Sequence, residues 1–236
     1  MIKWTFDPDA LAQHIAALSL ADRIPVLTVQ QGSAMLKRHQ KKKYASAICF
    51  SAPVNILDCG RYNPPGGEPA VWYAADSSVT AAAEAYGRLL QLTGQIAYPE
   101  SVLEQHFICA IDVLRPVTVI DLVGLCQLLH VPLDSVENED YAFPQWLMAH
   151  LYTHFGSECG GVAYSSRHYR YRRCYAFWPS PTMPAAFQDT PGGMVPVADY
   201  KEYDRAIFPA DWEAPFMSGD EILEALLNFR ITAEPM

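Results

Sequence analysis

An α+β fold is predicted for this chain from three observations. Its strand-like apolar runs are short, about four to eight residues, the length of strands rather than helices. Helical patterns fall between some of these runs, but without the regular βαβ alternation of a doubly wound sheet. With 236 residues, 50% of them hydrophobic, the chain can bury one sizeable core, so a single domain with additions is expected.

Asp7-Pro8-Asp9 reads as a helix start, with a capping Asp, Pro at the first helical position and an acid at the positive end of the dipole. That helix is predicted to run to about Leu20, with Leu11, Ile15 and Leu18 on one face. Ile24 to Val29 reads as a strand. Lys37-Arg38-His39-Gln40-Lys41-Lys42-Lys43 is the strongest charge run and is read as a solvated loop, in preference to a basic lip for an anionic substrate or acidic partner. Tyr44–Phe50 and Val54–Asp58 are two further strand candidates.

The most informative window is Arg61 to Glu84, RYNPPGGEPAVWYAADSSVTAAAE. A Pro/Gly turn follows Arg61, Ala70–Ala75 reads as a buried strand, and Asp76 with Ser77 or Ser78 caps a helix that Gly94 stops after Thr93. Arginine, tyrosine and glutamate thus sit on three adjoining elements. Strands near Phe107–Leu114 and Val117–Ile120, a helix over Leu122–Leu129, an acidic connection Pro132–Asp140 and a helix over Phe143–Phe155 come next. Gly160–Arg167 reads as a strand running into a loop, and Cys174–Trp178 as a final core strand. From Pro179 the prolines and Gly192-Gly193 predict a long irregular tail, until Ser218-Gly219-Asp220-Glu221 resembles a capping box opening a last helix to about Phe229.

A net charge of −9 and a pI near 5.2 argue against general nucleic-acid binding, which shows as a basic balance. No apolar run reaches the roughly 18 residues a membrane span needs. The N-terminus lacks the apolar centre of a signal peptide, so a cytoplasmic protein is expected. Six cysteines without a CxxC pair read as small core hydrophobes rather than zinc ligands or disulfides.

Each candidate residue competes with an ordinary reading. Arg61 is a bidentate clamp suited to a diphosphate, or a surface arginine on a turn. Tyr73 alone is a core aromatic. Glu84 pairs naturally with Arg88 at i, i+4 in a stripe with Thr80 and Gln91, yet its alanine neighbours leave room for a substrate. His150 and His154 have metal-ligand spacing, but Leu151 stands where a metalloprotease has Glu, so no metal is expected. Neither a P-loop nor GxSxG is present. The basic-aromatic patch Arg167–Arg173 is taken as a rim or partner surface.

Gly60-Arg61-Tyr62-Asn63-Pro64-Pro65-Gly66, Val71-Trp72-Tyr73-Ala74-Ala75 and Ala81-Ala82-Ala83-Glu84 resemble the RES domain, named for its Arg, Glu and Ser. Val119-Ile120-Asp121-Leu122 and Gly161-Val162-Ala163-Tyr164-Ser165-Ser166-Arg167 are similar to later family segments in the same order. The likeness spans roughly Ile24 to Trp178. It implies a fold like that of diphtheria-toxin-type ADP-ribosyltransferases and cleavage of the nicotinamide–ribose bond of NAD+, by hydrolysis or phosphorolysis. ADP-ribose transfer to a protein and a catalytically idle binding module are the alternatives. NAD+ is then a substrate, and no cofactor is implied.

Carried over, the family's Arg is Arg61, its Tyr Tyr73, its Glu Glu84 and its Ser Ser166, with Ser165 competing. Tyr62, Asn63 and Arg167 join them as substrate contacts. The implied organisation is a helical segment over 1–22, a RES-like core over 23–178 and a Pro-rich extension over 179–236. An antitoxin of helix-turn-helix type, or an immunity protein, is the implied partner; a homodimer and delivery into another cell's cytosol stay open. One departure stands out. Many members carry an aromatic-Arg pair in their first strand, but Val26-Leu27-Thr28-Val29-Gln30 has no arginine, so Arg38 or Lys37 substitutes from the loop or NAD+ is held differently.

Overall fold

The computed structural model describes residues 6–53, 55–138, 140–169, 172–180 and 185–233, without the side chains of 56 and 88–93. Its first half runs α1 (Pro8–Leu20), β1 (Val26–Val29), β2 (Gly32–Gln40), β3 (Trp72–Ala75), α2 (Ser78–Thr93), β4 (Ile96–Pro99), α3 (Glu100–Gln105) and β5 (Phe107–Val113). Then follow β6 (Val117–Asp121), α4 (Leu122–Leu128), α5 (Asp134–Glu137), α6 (Ala142–Phe155), β7 (Gly161–Ser165), β8 (Arg173–Phe177) and β9 (Phe187–Pro196). The chain closes with β10 (Lys201–Glu202), β11 (Met217–Ser218), α7 (Gly219–Glu221), a π-helical turn Ile222–Leu226 and β12 (Phe229–Thr232). The predicted α+β class is correct.

One eight-stranded sheet, ordered β1-β6-β7-β8-β3-β2-β5-β9, carries the molecule. It is mixed: β6 and β7 are parallel, and the other neighbours antiparallel. Period-two alternation sorts β3 between its faces. Trp72 and Ala74 enter a cluster with Leu36, Ile111 and Phe177, whereas Tyr73 and Ala75 meet the cluster formed with α1, α4 and α6. α1 begins as predicted, with Asp7 Oδ1 accepting from Ala10 N at 3.1 Å and Leu11, Ile15 and Leu18 buried. A third cluster, built from α2, Ile96, Tyr98 and Leu103, also takes Val197, Met217, Leu223 and Phe229 from the C-terminal segment. No helix among the described residues is long and apolar enough to cross a membrane.

Three predictions are corrected. The charge run is a solvated loop only in its second half: Lys41, Lys42 and Lys43 are exposed beyond the strand, but Lys37, Arg38 and His39 lie in β2, hydrogen-bonded between β3 and β5. A strand bordering a polar cleft can bury lysine and arginine stems and still present their heads to it. Residues 44–50 and 55–58 form no strand beyond a single bridge of Ser51 to Val71 and a 3-10 turn at Ile56–Asp58. The tail beyond Pro179 is not irregular throughout, since β9 is the edge strand of the main sheet, where proline costs no ladder bond. β4 and β12, which pair in parallel, went unpredicted as short segments.

Val54, Glu139, Arg170-Tyr171 and Pro181–Pro184, with the side chains of Arg88 and Gln91, lie outside the described residues, so the predicted Glu84–Arg88 pair does too. The cysteines behave as small core residues: Cys59, Cys109, Cys126, Cys159 and Cys174 are buried, Cys49 is exposed, and all are free.

Candidate active site

A cleft of about 320 Å³ opens between α2 and the sheet. β2 supplies Lys37, Arg38 and His39, the turn before β3 supplies Gly60, Arg61 and Tyr62, and α2 supplies Ala81, Glu84 and Ala85. Tyr73, Tyr141, Tyr164, Arg167, His168 and Cys174 complete its walls. Arg61, Tyr62, Tyr73, Glu84 and Arg167, separated in sequence, are thus brought to one cavity.

Glu84 is fixed from the β7–β8 connection. Ser166 Oγ donates to Glu84 Oε1 at 2.7 Å and accepts from His168 N at 3.2 Å and Tyr169 N at 2.9 Å. With two N–H groups pointing at its oxygen, the hydroxyl has its proton directed at the carboxylate. Ser166 is wholly buried, and Ser165 instead pairs with Arg173 in the sheet. Of the two serines, Ser166 meets the glutamate.

Arg61 lies with its guanidinium 5.8 Å over the Tyr141 ring. Burial works against its charge, but Tyr62, Tyr164, Glu84 and Tyr141 outweigh that and favour the guanidinium further. Its Nε is buried without a hydrogen-bond partner among the described residues. A buried, unsatisfied, charged donor is expensive unless a ligand meets it.

Tyr73 and Asn63 hold this arginine's turn. Tyr73 Oη donates to Asn63 Oδ1 at 2.9 Å and accepts from Tyr62 N at 3.0 Å. Asn63 Oδ1 also accepts from Gly60 N at 3.1 Å, and Asn63 Nδ2 donates to Ser51 O at 3.1 Å. Asn63, predicted as a substrate contact, is buried and does not line the cleft; its amide is committed to the turn. Tyr73 keeps a ring in the cleft wall, and burial pushes its hydroxyl up. Tyr62 is buried with its ring centroid 4.7 Å from that of Tyr164.

Arg167 NH1 donates to Glu137 O at 2.7 Å, which seats this guanidinium at the cleft rim. His168 beside it is held neutral: burial, then Arg167 and Arg61, lower its imidazole to about 4. His39 is lowered further, to about 3, by burial and then by His106 and Lys41. Its Nε2 lies 2.9 Å from Tyr86 Oη, in a buried group with Tyr98 and His106.

Sequence reasoning missed His39, Tyr141 and His168. The signal for His168 was Gly87 inside α2, since a glycine in a helix often marks a close approach. His150 and His154 lie with ring centroids 4.4 Å apart and their planes tilted by 48°, and no group of three or more metal-type ligands occurs among the described residues.

Fold and cleft together define an α+β protein with a cavity lined by a serine-held glutamate, arginines and tyrosines. The chain belongs to the RES-domain family, whose family model matches residues 35–199. The match opens within β2, so the strand that starts the family region is the one carrying Lys37 and Arg38, not β1. Lys37 and Arg38, expected on a loop, thus lie on a strand. Among solved structures, the chain resembles one from the M. tuberculosis MbcT–MbcA toxin–antitoxin complex, with 20% identity, a TM-score of 0.50, and coverage of 77% of this chain and 89% of that one. No curated protein matches.

Proposed function

We propose that this protein is an NAD+-degrading toxin that breaks the nicotinamide–ribose bond by hydrolysis or phosphorolysis. The observation that carries this reading is Glu84, held by Ser166 at 2.7 Å in the same cleft as an arginine with an unsatisfied buried donor. In NAD+ the bond to ribose breaks with its electron pair returning to the pyridinium nitrogen, so nicotinamide leaves neutral and needs no general acid. The positive charge then grows on the ribose ring. The Glu84 carboxylate faces that charge and the ribose hydroxyls, while Ser166 keeps it aimed. A preorganised polar group of this kind contributes about 3–4 kcal/mol, or roughly 100- to 1000-fold in rate.

Arg61 clamps the diphosphate, with Lys37 and Arg38 on β2 and Arg167 at the rim as further cationic walls. Tyr73 and the paired Tyr62 and Tyr164 rings supply aromatic faces for the nicotinamide half. Water or phosphate then adds to the ribose carbon. A toxin of this kind requires restraint, and the relative solved in a toxin–antitoxin complex supports a cognate antitoxin covering the cleft. Its place of action is a cytosol, where NAD+ is available.

The test is incubation of purified protein with NAD+ and identification of products. Release of nicotinamide with ADP-ribose or its phosphate is expected, and Glu84→Gln should lose it while keeping the fold. Undiminished turnover in Glu84→Gln overturns the assignment, and intact NAD+ after long incubation with the unaltered protein overturns the activity.

A further inference from the structure

The family match ends at residue 199, one position before a segment that bonds to the start of α2 and to the β7–β8 connection. Glu202 is buried, and its carboxylate accepts four hydrogen bonds. Ser78 Oγ at 2.6 Å and Tyr200 Oη at 2.8 Å donate to Oε2, and Tyr203 N at 2.9 Å and Asp204 N at 3.0 Å donate to Oε1. Ser78 is the first residue of α2, less than two turns before Glu84. Two residues on, Asp204 Oδ2 meets Arg172 NH2 at 3.2 Å, in the connection that presents Ser166 and His168.

We propose that Tyr200–Asp204 is a strap for the cleft, in which Glu202 is a positioning residue that locks the start of α2 while Asp204 tethers the β7–β8 connection, so that Glu84 and Ser166 stay in register. The inference rests on the reading of Glu84 and Ser166 given above, and it assigns a task to a segment outside the family region. Magnitudes rank the two hooks. The Arg172–Asp204 pair is partly exposed and contributes little by itself. The buried carboxylate is the firm anchor, because an acceptor facing four donors cannot be replaced by an amide without turning an NH2 group on one pair of them.

The strap also touches the cleft's charge. Burial raises the Glu202 carboxyl, but Ser78, the Asp204 N–H, Tyr200 and Lys37 outweigh it and hold it below the usual range. In return, Glu202 and Asp204 oppose the effect of burial on the Lys37 ammonium, which lines the cleft.

The full chain is compared with Glu202→Gln, Ser78→Ala, Asp204→Asn and, as a control, Arg205→Ala. Arg205 braces the neighbouring loop through the Ala214 and Trp212 carbonyls. Hydrogen exchange is read on peptides covering 78–86 and 164–173, and kcat and KM for NAD+ are read separately. Glu202→Gln should speed exchange in the first peptide and lower kcat about tenfold or more, with a smaller change in KM. Ser78→Ala should reproduce the exchange effect and add little in the double variant. Asp204→Asn should act more weakly, on the second peptide. Unchanged exchange at 78–86 in both Glu202→Gln and Ser78→Ala overturns the strap, as does a kcat loss equalled by an Arg205→Ala protein of the same melting temperature. Should the unaltered protein leave NAD+ intact, the cleft reading falls while exchange still decides the strap.

Discussion

His168 occupies the space that a side chain at position 87 would need: a Cβ on Gly87 would lie 2.0 Å from the imidazole ring. The helix that carries Glu84 and the connection that carries Ser166 therefore meet at a contact only glycine permits. Alanine is the better helix former by roughly 0.5–1 kcal/mol, yet Gly87→Ala must push His168 out of the cleft wall. Its NAD+ turnover should fall roughly tenfold or more. The double variant with His168→Ala, which removes the ring, should regain the stability lost in Gly87→Ala, as denaturant midpoints would register.

Ser166→Ala strips the donor from Glu84 and the acceptor from the His168 and Tyr169 N–H groups. Leaving buried groups unsatisfied costs about 1–3 kcal/mol. Steady-state kinetics should show kcat falling about 10- to 100-fold with KM altered less, because the serine aims the carboxylate rather than holding the diphosphate. A KM effect alone would reassign Ser166 to substrate binding.

Arg61→Lys keeps the charge but loses the planar fork and the Nε donor. Calorimetric titration with NAD+ should show affinity weakened by about tenfold, and turnover at saturation should be less affected. Equal affinity in the two proteins would remove Arg61 from the diphosphate.

Tyr73→Phe separates the ring from the hydroxyl. The ring stays in the cleft wall, while Tyr62 N loses its acceptor and Asn63 Oδ1 one of its donors. A loss of about 1–3 kcal/mol in unfolding free energy is expected, along with weaker NAD+ binding through a looser Arg61 turn. Unchanged stability would show that the turn does not depend on this hydroxyl.

Stability should fall as pH drops below neutrality. His39, His106 and His168 are lowered to about 3, 4 and 4, in each case first by burial. All three depressed imidazoles stay neutral when folded and bind protons near 6.5 when unfolded, so the unfolded chain holds more protons between about 6.5 and 4. The stability they contribute is whole above that window and is lost as pH falls through it. For the deeply buried His39 the slope approaches about 1.4 kcal/mol per pH unit, and the other two add less. Guanidinium midpoints at pH 7, 6 and 5 check the trend, and a flat profile would refute it.

The parts of the fold legible in the sequence are those where caps and periodicity agree. Asp7-Pro8 starts α1, Gly94 ends α2, and Ser218 with Glu221 makes the predicted capping box. The gathering of Arg61, Tyr73 and Glu84 at one cavity, with Ser166 on Glu84, was suggested by their order along the chain. β2 was hidden because a strand beside a polar cavity breaks the apolar pattern, so Lys37 and Arg38 looked like loop residues. β9 was hidden because its prolines mimic a linker, which only an edge position tolerates. Asn63 looked like a ligand contact because no spacing reveals that its amide is spent on Gly60, Tyr73 and Ser51.

The parallel pairing of β12 with β4 joins Phe229–Thr232 to Ile96–Pro99, so two strands made far apart in time must find one another. Once residue 199 has been made, the whole family-matched region is present, including Arg61, Glu84 and Ser166. Still missing are Glu202 at the head of α2 and the partner strand of β4. Such long-range closure is the slow kind. Synthesis order therefore brings Glu202 to the head of α2, and β12 to β4, only after every family-matched residue has been made.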